Sequence, residues 1–265
     1  MTDSKYPEPD HASIQAQLNS PSYSLAALDR DFLLSDAMRG VRFMLEYAKA
    51  EEILRKWRIN STIVVFGSAR VSESEPGRRG RWYAEARKFG RLCSERSRPI
   101  TGDGKAHRNV IATGGGPGVM EAANRGAFEA GAPSIGFNIT LPHEQFPNPY
   151  TTPELTFQFH YFAMRKMHLA MRARALIVFP GGFGTFDELF ELMTLVQTGK
   201  THKLPIVLFD KEFWSKAICF EALVEAGTIS PEDPDLFCYA NSAEEVWDRL
   251  VEKGLHMMPD EPHTV

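Results

Sequence analysis

The stretch ALIVFPGGFGTFDELFELMTLVQTG, residues 175–199, passes from strand to helix through a glycine turn. Ala175–Phe179 is a short apolar run of strand length with β-branched Ile177 and Val178. Pro180, Gly181 and Gly182 end it, and Gly184 and Thr185 open a segment whose apolar residues (Phe186, Leu189, Phe190, Met193, Val196) recur with helical period. Bare glycines let backbone amides approach an anion, and a helix start offers unpaired N–H groups and a positive dipole end. A phosphate therefore fits the Gly181–Thr185 turn. The carboxylates Asp187, Glu188 and Glu191 follow at once, and phosphate binding alone does not require them. The combination points to chemistry on a phosphorylated substrate.

Working outward, strands and helices alternate. STIVVFGSAR (61–70) reads as a strand ending in Gly67-Ser68, followed by a charged helix over about 80–97. NVIATGGGPGVMEAANRGAFEAG (109–131) repeats the strand, glycine turn and helix. SIGFNIT (134–140), LTFQFH (155–160) and LPIVLF (204–209) read as strands, with helices expected over 161–172, about 211–226 and about 242–253. This order predicts an α/β, Rossmann-like, doubly wound parallel sheet with flanking helices, its ligand site beyond the carboxyl ends of the strands. Residues 1–34, rich in Pro, Ser, Asp and Gln, read as a mobile arm, and 35–58 as an N-terminal helical extension. The main domain is expected over 59–255, with a tail at 256–265. The stretch 97–109 reads as a charged loop.

A net charge of −4 and a pI near 6.1 argue against nucleic-acid or anionic-membrane partners. No apolar run is long enough to span a bilayer, and the polar N-terminus has no leader-like core, so a cytoplasmic protein without an anchor is expected. Cys93, Cys219 and Cys238 lack zinc spacing and read as buried thiols of a reducing compartment. The histidines show no metal-ligand spacing, and His143, His160 and His168 read as ordinary loop, strand and surface residues. No metal and no cofactor are expected. Gly104-Lys105 is followed by Ala106, so the phosphate loop of nucleotide triphosphatases is absent.

Two readings compete for Glu188. Thr185 and Glu188 have capping-box spacing, which would satisfy orphan amides at a helix start. Alternatively, its carboxylate serves chemistry. On the 161–173 helix, Met164, Met167 and Met171 form an apolar stripe, while Arg165 and Arg172 share another face with His168 and Lys166 nearby. An arginine near the glycine turns can clamp a phosphate or hold a leaving base.

PGGFGTFDE (180–188), Met164-Arg165-Lys166 and GGGPGVMEAA (114–123) together resemble the LOG family, whose members are often described as lysine decarboxylase-like. The resemblance covers about residues 60–230. It implies a homo-oligomer, usually a dimer or an assembly of dimers, that cleaves the N-glycosidic bond of a nucleoside 5′-monophosphate to free base and ribose 5-phosphate. Carried over, it implies Arg165 and Glu188 as the catalytic pair. It implies substrate contacts at Glu144, Lys166, Gly181, Gly182, Gly184, Thr185, Asp187 and Thr194, completed by Gly67, Ser68, Gly115, Gly116 and Gly118 of the other two turns. The family's Glu-Glu is Asp187-Glu188 here. A carboxylate beside the anomeric carbon suits an oxocarbenium-like transition state. The alternative is a non-catalytic nucleotide or cofactor carrier of the same superfamily. Lysine decarboxylation fits poorly, because no lysine has a recognisable pyridoxal phosphate context.

Overall fold

The computed structural model describes residues 11–97, 106–141 and 146–255. The expected tail 256–265 and most of the 97–109 loop lie outside the described residues, as do Glu144 and His143. The chain divides into two compact units, Met1–Ala48 and Lys49–Val265.

In the first unit, α1 (His11–Leu18) and α2 (Arg30–Leu34) place helix within the segment read from composition as an arm. The Asp29 carboxylate caps α2 by accepting the Phe32 amide at 2.9 Å. Arg42 donates to the carbonyls of Leu33 and Ser35 at 2.9 and 2.5 Å, which satisfies backbone acceptors at the end of α2. Helix α3 (Arg39–Lys56) begins in this unit and ends in the second, where Ala50, Glu51 and Leu54 are buried.

The second unit is built on β1 (Thr62–Phe66), β2 (Val110–Thr113), β3 (Ser134–Ile139), β4 (Thr156–Phe159), β5 (Ala173–Val178), β6 (Ile206–Phe209) and β7 (Phe237–Ala240). All neighbouring strands pair in parallel, in the order β4-β3-β2-β1-β5-β6-β7. The order reverses between β1 and β5, where Phe66 stands opposite Val178. That is the switch point at which connections leave toward opposite sides and open a crevice. Alternate residues of the central strands serve opposite faces. Val64, Phe66, Leu176 and Val178 pack with Leu54 and with the helices α6 (Phe162–Met171), α7 (Phe183–Gln197) and α8 (Lys211–Ala217). Ile63, Val65, Ala175 and Ile177 pack with α4 (Arg78–Arg96), α5 (Val119–Glu129) and α10 (Ala243–Glu252). Burial on both faces explains why these strands read as unbroken apolar runs.

Several sequence readings need correction. The helix expected over 211–226 is interrupted, because Ile218 is extended and α8 is followed by a separate α9 (Phe220–Glu225). Strand β7 was not foreseen; four residues, two of them only half-buried, give too short a pattern. His168 is fully buried, its ring stacked on Phe137 and tilted against Phe159, so it is a core residue and not a surface one. Of the cysteines only Cys93 is buried, its thiol pushed up to about 12 by desolvation; Cys219 is exposed and Cys238 half-buried. Among the described residues no helix is long and apolar enough to cross a membrane.

Arg172 lies just past the end of α6, and it does not join Arg165. Its terminal nitrogens donate to both oxygens of Glu51 at 2.9 Å, and its Nε donates to the Ile59 carbonyl at 3.1 Å. Burial pushes the Glu51 carboxyl up, but hydrogen bonds and charge from Arg172 and Arg55 outweigh it and hold it below its ordinary value. Removing one partner strands a buried charge; removing both does not. Arg172→Met is therefore expected to lower unfolding free energy in urea by about 3–5 kcal/mol. The double variant Glu51→Leu/Arg172→Met is expected to lose clearly less, and an equal or larger loss would show that the pair is not acting as a unit.

Candidate active site

Three turns at the carboxyl ends of β1, β2 and β5 meet at the switch point. After β1, Gly67 lies so close to Val119 and Phe179 that a Cβ would stand 2.7–2.8 Å from their side chains. The next residue, Ser68, donates its amide to the Pro180 carbonyl at 2.9 Å and accepts the Val119 amide at 3.0 Å. Its main chain thus ties the first turn to both of the others. Its hydroxyl accepts the Arg70 amide at 3.1 Å.

The turn after β2 is held by buried asparagines. Asn148 donates its backbone amide to the Gly115 carbonyl (2.8 Å) and its side-chain amide to the Gly116 carbonyl (3.1 Å) and to Asn124 (3.0 Å). Thr113 closes the set, donating to Asn124 at 2.7 Å and accepting the Gly115 amide at 3.0 Å. Gly118 has φ +74°, and a Cβ there would come within 2.2 Å of the Ser68 carbonyl oxygen. The space beside Gly115 is likewise filled by Asn138.

The turn after β5 differs. Gly182 is the N-cap of α7 and provides no side-chain cap. A Cβ on Gly182 or Gly184 would meet nothing within 4 Å, and neither residue has a positive φ. Nothing in the protein demands glycine at either position, so their bareness leaves room for a ligand. The amides of Phe183 and Gly184 have no acceptor among the described residues. They are the orphan donors of a helix start.

Helix α7 begins at Phe183, so Thr185 lies inside the first turn and the capping box with Glu188 does not form. Glu188 is 2% exposed and accepts Arg165 Nη2 from α6 at 2.5 Å. The acidic side of α7 is therefore not uniformly solvated: of the three carboxylates Asp187 is exposed, Glu191 half-buried and Glu188 buried. Lys166 sits alongside, with its Nζ 2.8 Å from Asp187 and 2.9 Å from Glu191. Burial pushes the Glu188 carboxyl above its ordinary value; Arg165 and Lys166 oppose that shift, while Glu191 and Asp187 add to it.

A cavity of about 650 Å³ occupies the crevice. Its polar border is Ser68, Arg70, Arg165 and Thr185 with the backbones of Gly67, Gly114, Gly182 and Gly184. Its apolar wall is Phe66, Met120, Ile139, Leu141, Phe162 and Phe183. Gly67, Ser68, Arg165, Gly182, Gly184 and Thr185 are thus brought together as the sequence suggested. Gly115, Gly116 and Gly118 are buried behind the wall. Gly181 packs on the Thr185 side chain, and Lys166 and Asp187 pair outside the cavity. Thr194 donates to the Phe190 carbonyl and borders a separate cavity of about 110 Å³. Arg70 was missed, although GSAR at a strand end marks it; the Asn124, Asn138 and Asn148 support carried no such mark.

Sheet order and crevice define a Rossmann-like α/β protein with a cavity at its switch point. The X-ray structure of TM1055, a structural genomics target, has the same fold: TM-score 0.50 at 19% identity, covering 72% of this chain and 99% of that one. A sequence-family model described as "Possible lysine decarboxylase" matches residues 120–250. That match takes in the Arg165 and Pro180–Glu188 motifs but starts after the first glycine turn. The cytokinin riboside 5′-monophosphate phosphoribohydrolase LOG1 of Arabidopsis thaliana is 30% identical over 146 residues, 54% of this chain and 67% of that protein. A probable enzyme of the same name from Oryza sativa subsp. japonica, LOGL3, is 29% identical over 153 residues, 54% of this chain and 68% of that protein. The chain belongs to the LOG family.

The contrast between the glycines is open to a direct check. Gly184→Ala is expected to leave thermal stability unchanged or to raise it by about 0.5–1 kcal/mol, because alanine is the better helix former. Gly118→Ala, with positive φ and a blocked Cβ position, is expected to lower it by at least about 1 kcal/mol. Equal losses in both would mean that Gly184 is also a packing glycine.

Proposed function

We propose that the protein hydrolyses the N-glycosidic bond of a nucleoside 5′-monophosphate, AMP or N6-modified AMP, to free base and ribose 5-phosphate. The observation that carries this reading is that the start of α7 and Arg165 line one cavity, with the buried Glu188 held directly behind Arg165 by its guanidinium. The names of the relatives, which specify a riboside 5′-monophosphate, support it at the level of the family. On this reading the 5′-phosphate accepts hydrogen bonds from the Phe183 and Gly184 amides at the positive end of α7. That anchor sets the sugar beside Glu188 and leaves the base against Met120, Ile139 and Leu141.

Bond cleavage then runs through an oxocarbenium-like sugar. The Glu188 carboxylate stabilises the positive charge at the anomeric carbon and takes a proton from the attacking water. The water oxygen bonds to that carbon as the carbon–nitrogen bond breaks, and the departing base takes up one proton, balancing the one the water gives to Glu188. Arg165 holds Glu188 in place with one nitrogen, and its Nε is buried with no hydrogen-bond partner among the described residues. The protein acts in the cytoplasm as a homodimer or larger homo-oligomer on this reading.

Incubation with a panel of monophosphates differing only in base is expected to release free base and ribose 5-phosphate in equal amounts. A nucleotide recovered bound and unchanged after long incubation would favour a carrier instead. Glu188→Gln is expected to cut turnover by at least about 100-fold while leaving nucleotide binding, read by calorimetry, within a few-fold.

The charge environment of Glu188 gives a signed expectation for pH. The working form is the carboxylate, so activity rises as pH increases through the Glu188 pKa, which burial places above its ordinary value. Lys166 favours the carboxylate, and it also neutralises Asp187 and Glu191. Lys166→Met is therefore expected to move the acid limb of the kcat profile upward in pH. An unmoved or lowered limb would mean that Glu188 is not the group titrating.

A further inference from the structure

Phe162 is the first residue of α6 and is 49% exposed at the edge of the cavity, so burial does not account for its place. Three residues later on the same helix face comes Arg165, whose guanidinium carbon lies over the Phe162 ring, 5.0 Å from its centroid. The guanidinium is otherwise sparsely held. Nη2 donates to Glu188 at 2.5 Å, while Nη1 faces the backbone at Gly114, 3.9 Å from where a Cβ would stand. Nε is buried and has no hydrogen-bond partner among the described residues. A planar group fixed through one nitrogen can pivot about that contact, and a ring face beneath the plane removes the pivot.

We infer that Phe162 is a positioning residue: its ring fixes the plane of the Arg165 guanidinium so that one edge meets Glu188 and the other faces the substrate. The inference rests on the reading of Arg165 and Glu188 as the reacting pair. Phe162 touches neither the scissile bond nor Glu188 in this scheme, so its loss acts on the rate-determining geometry and not on anchoring of the phosphate.

Steady-state base release from AMP by wild type, Phe162→Leu and Phe162→Tyr tests it, together with the Arg165 Nε–H signal in proton–nitrogen NMR. Phe162→Leu is expected to lower kcat by about 3- to 30-fold with KM within about 2-fold, the range of a cation–π contact. Phe162→Tyr, which keeps the ring, is expected to restore kcat to within about 2-fold. The Arg165 Hε proton is expected to be ring-shifted upfield in wild type and Phe162→Tyr, and to move downfield in Phe162→Leu. Wild-type kcat in Phe162→Leu, a loss confined to KM, or failure of tyrosine to restore kcat would overturn the inference. If wild type releases no base from any monophosphate, the functional reading fails by itself. The NMR signal then decides the positioning claim, and an Arg165 Hε shift unchanged in Phe162→Leu overturns it.

Discussion

The main chain of Ser68 is the tie on which the cavity depends. A peptide group at the end of a buried strand must find hydrogen-bond partners, and here it finds them in the two neighbouring turns: Pro180 accepts its N–H, and Val119 donates to its carbonyl. That reciprocal contact draws the β1, β2 and β5 turns together over the switch point. The closeness it imposes explains the glycines around it, since side chains at Gly67 or Gly118 would overlap atoms of the adjoining turns. The turn after β5 is anchored through Pro180, and Gly182 and Gly184 beyond it have no packing neighbour that excludes a side chain.

Helix α6 shows how one ion-pair type takes two roles. At its far end, Arg172 spends its donors on Glu51 and a backbone carbonyl, and both partners are settled within the protein. In its first turn, Arg165 meets Glu188 through one nitrogen, lines the cavity, and leaves Nε without a partner among the described residues. Desolvating a carboxylate and a guanidinium together yields little net stability, so folding alone does not explain this buried pair. The proposed chemistry does, because it needs a carboxylate that is shielded from water and yet kept ionised.

Much of this architecture could be read from the chain. The central strands announced themselves because burial on both faces leaves continuous apolar runs, as in Ala175–Phe179, and the glycine turns marked where each strand ends. Arg165 and Glu188 were singled out as a pair by the resemblance to the LOG family, although the ion pair between them was not foreseen. Local rules left a capping box competing with chemistry for Glu188; the helix starts at Phe183, and the carboxylate goes to a tertiary partner. Arg172 and His168 were misplaced for a related reason. Helical spacing tells which residues share a face, but not whether Glu51 or a ring such as Phe137 waits opposite. The asparagines behind the second turn were invisible because isolated polar residues signal burial only once their partners are known.

The bare helix start separates two tasks that most binding sites merge. On the proposed reading, contacts made by the peptide amides at 183 and 184 do not depend on the identity of the side chains around them. Met120, Ile139 and Leu141, by contrast, are side chains that shape the space beyond it. On the proposed reading, a change of side chain at the wall alters which base is admitted while the backbone hold on the phosphate stays as it was.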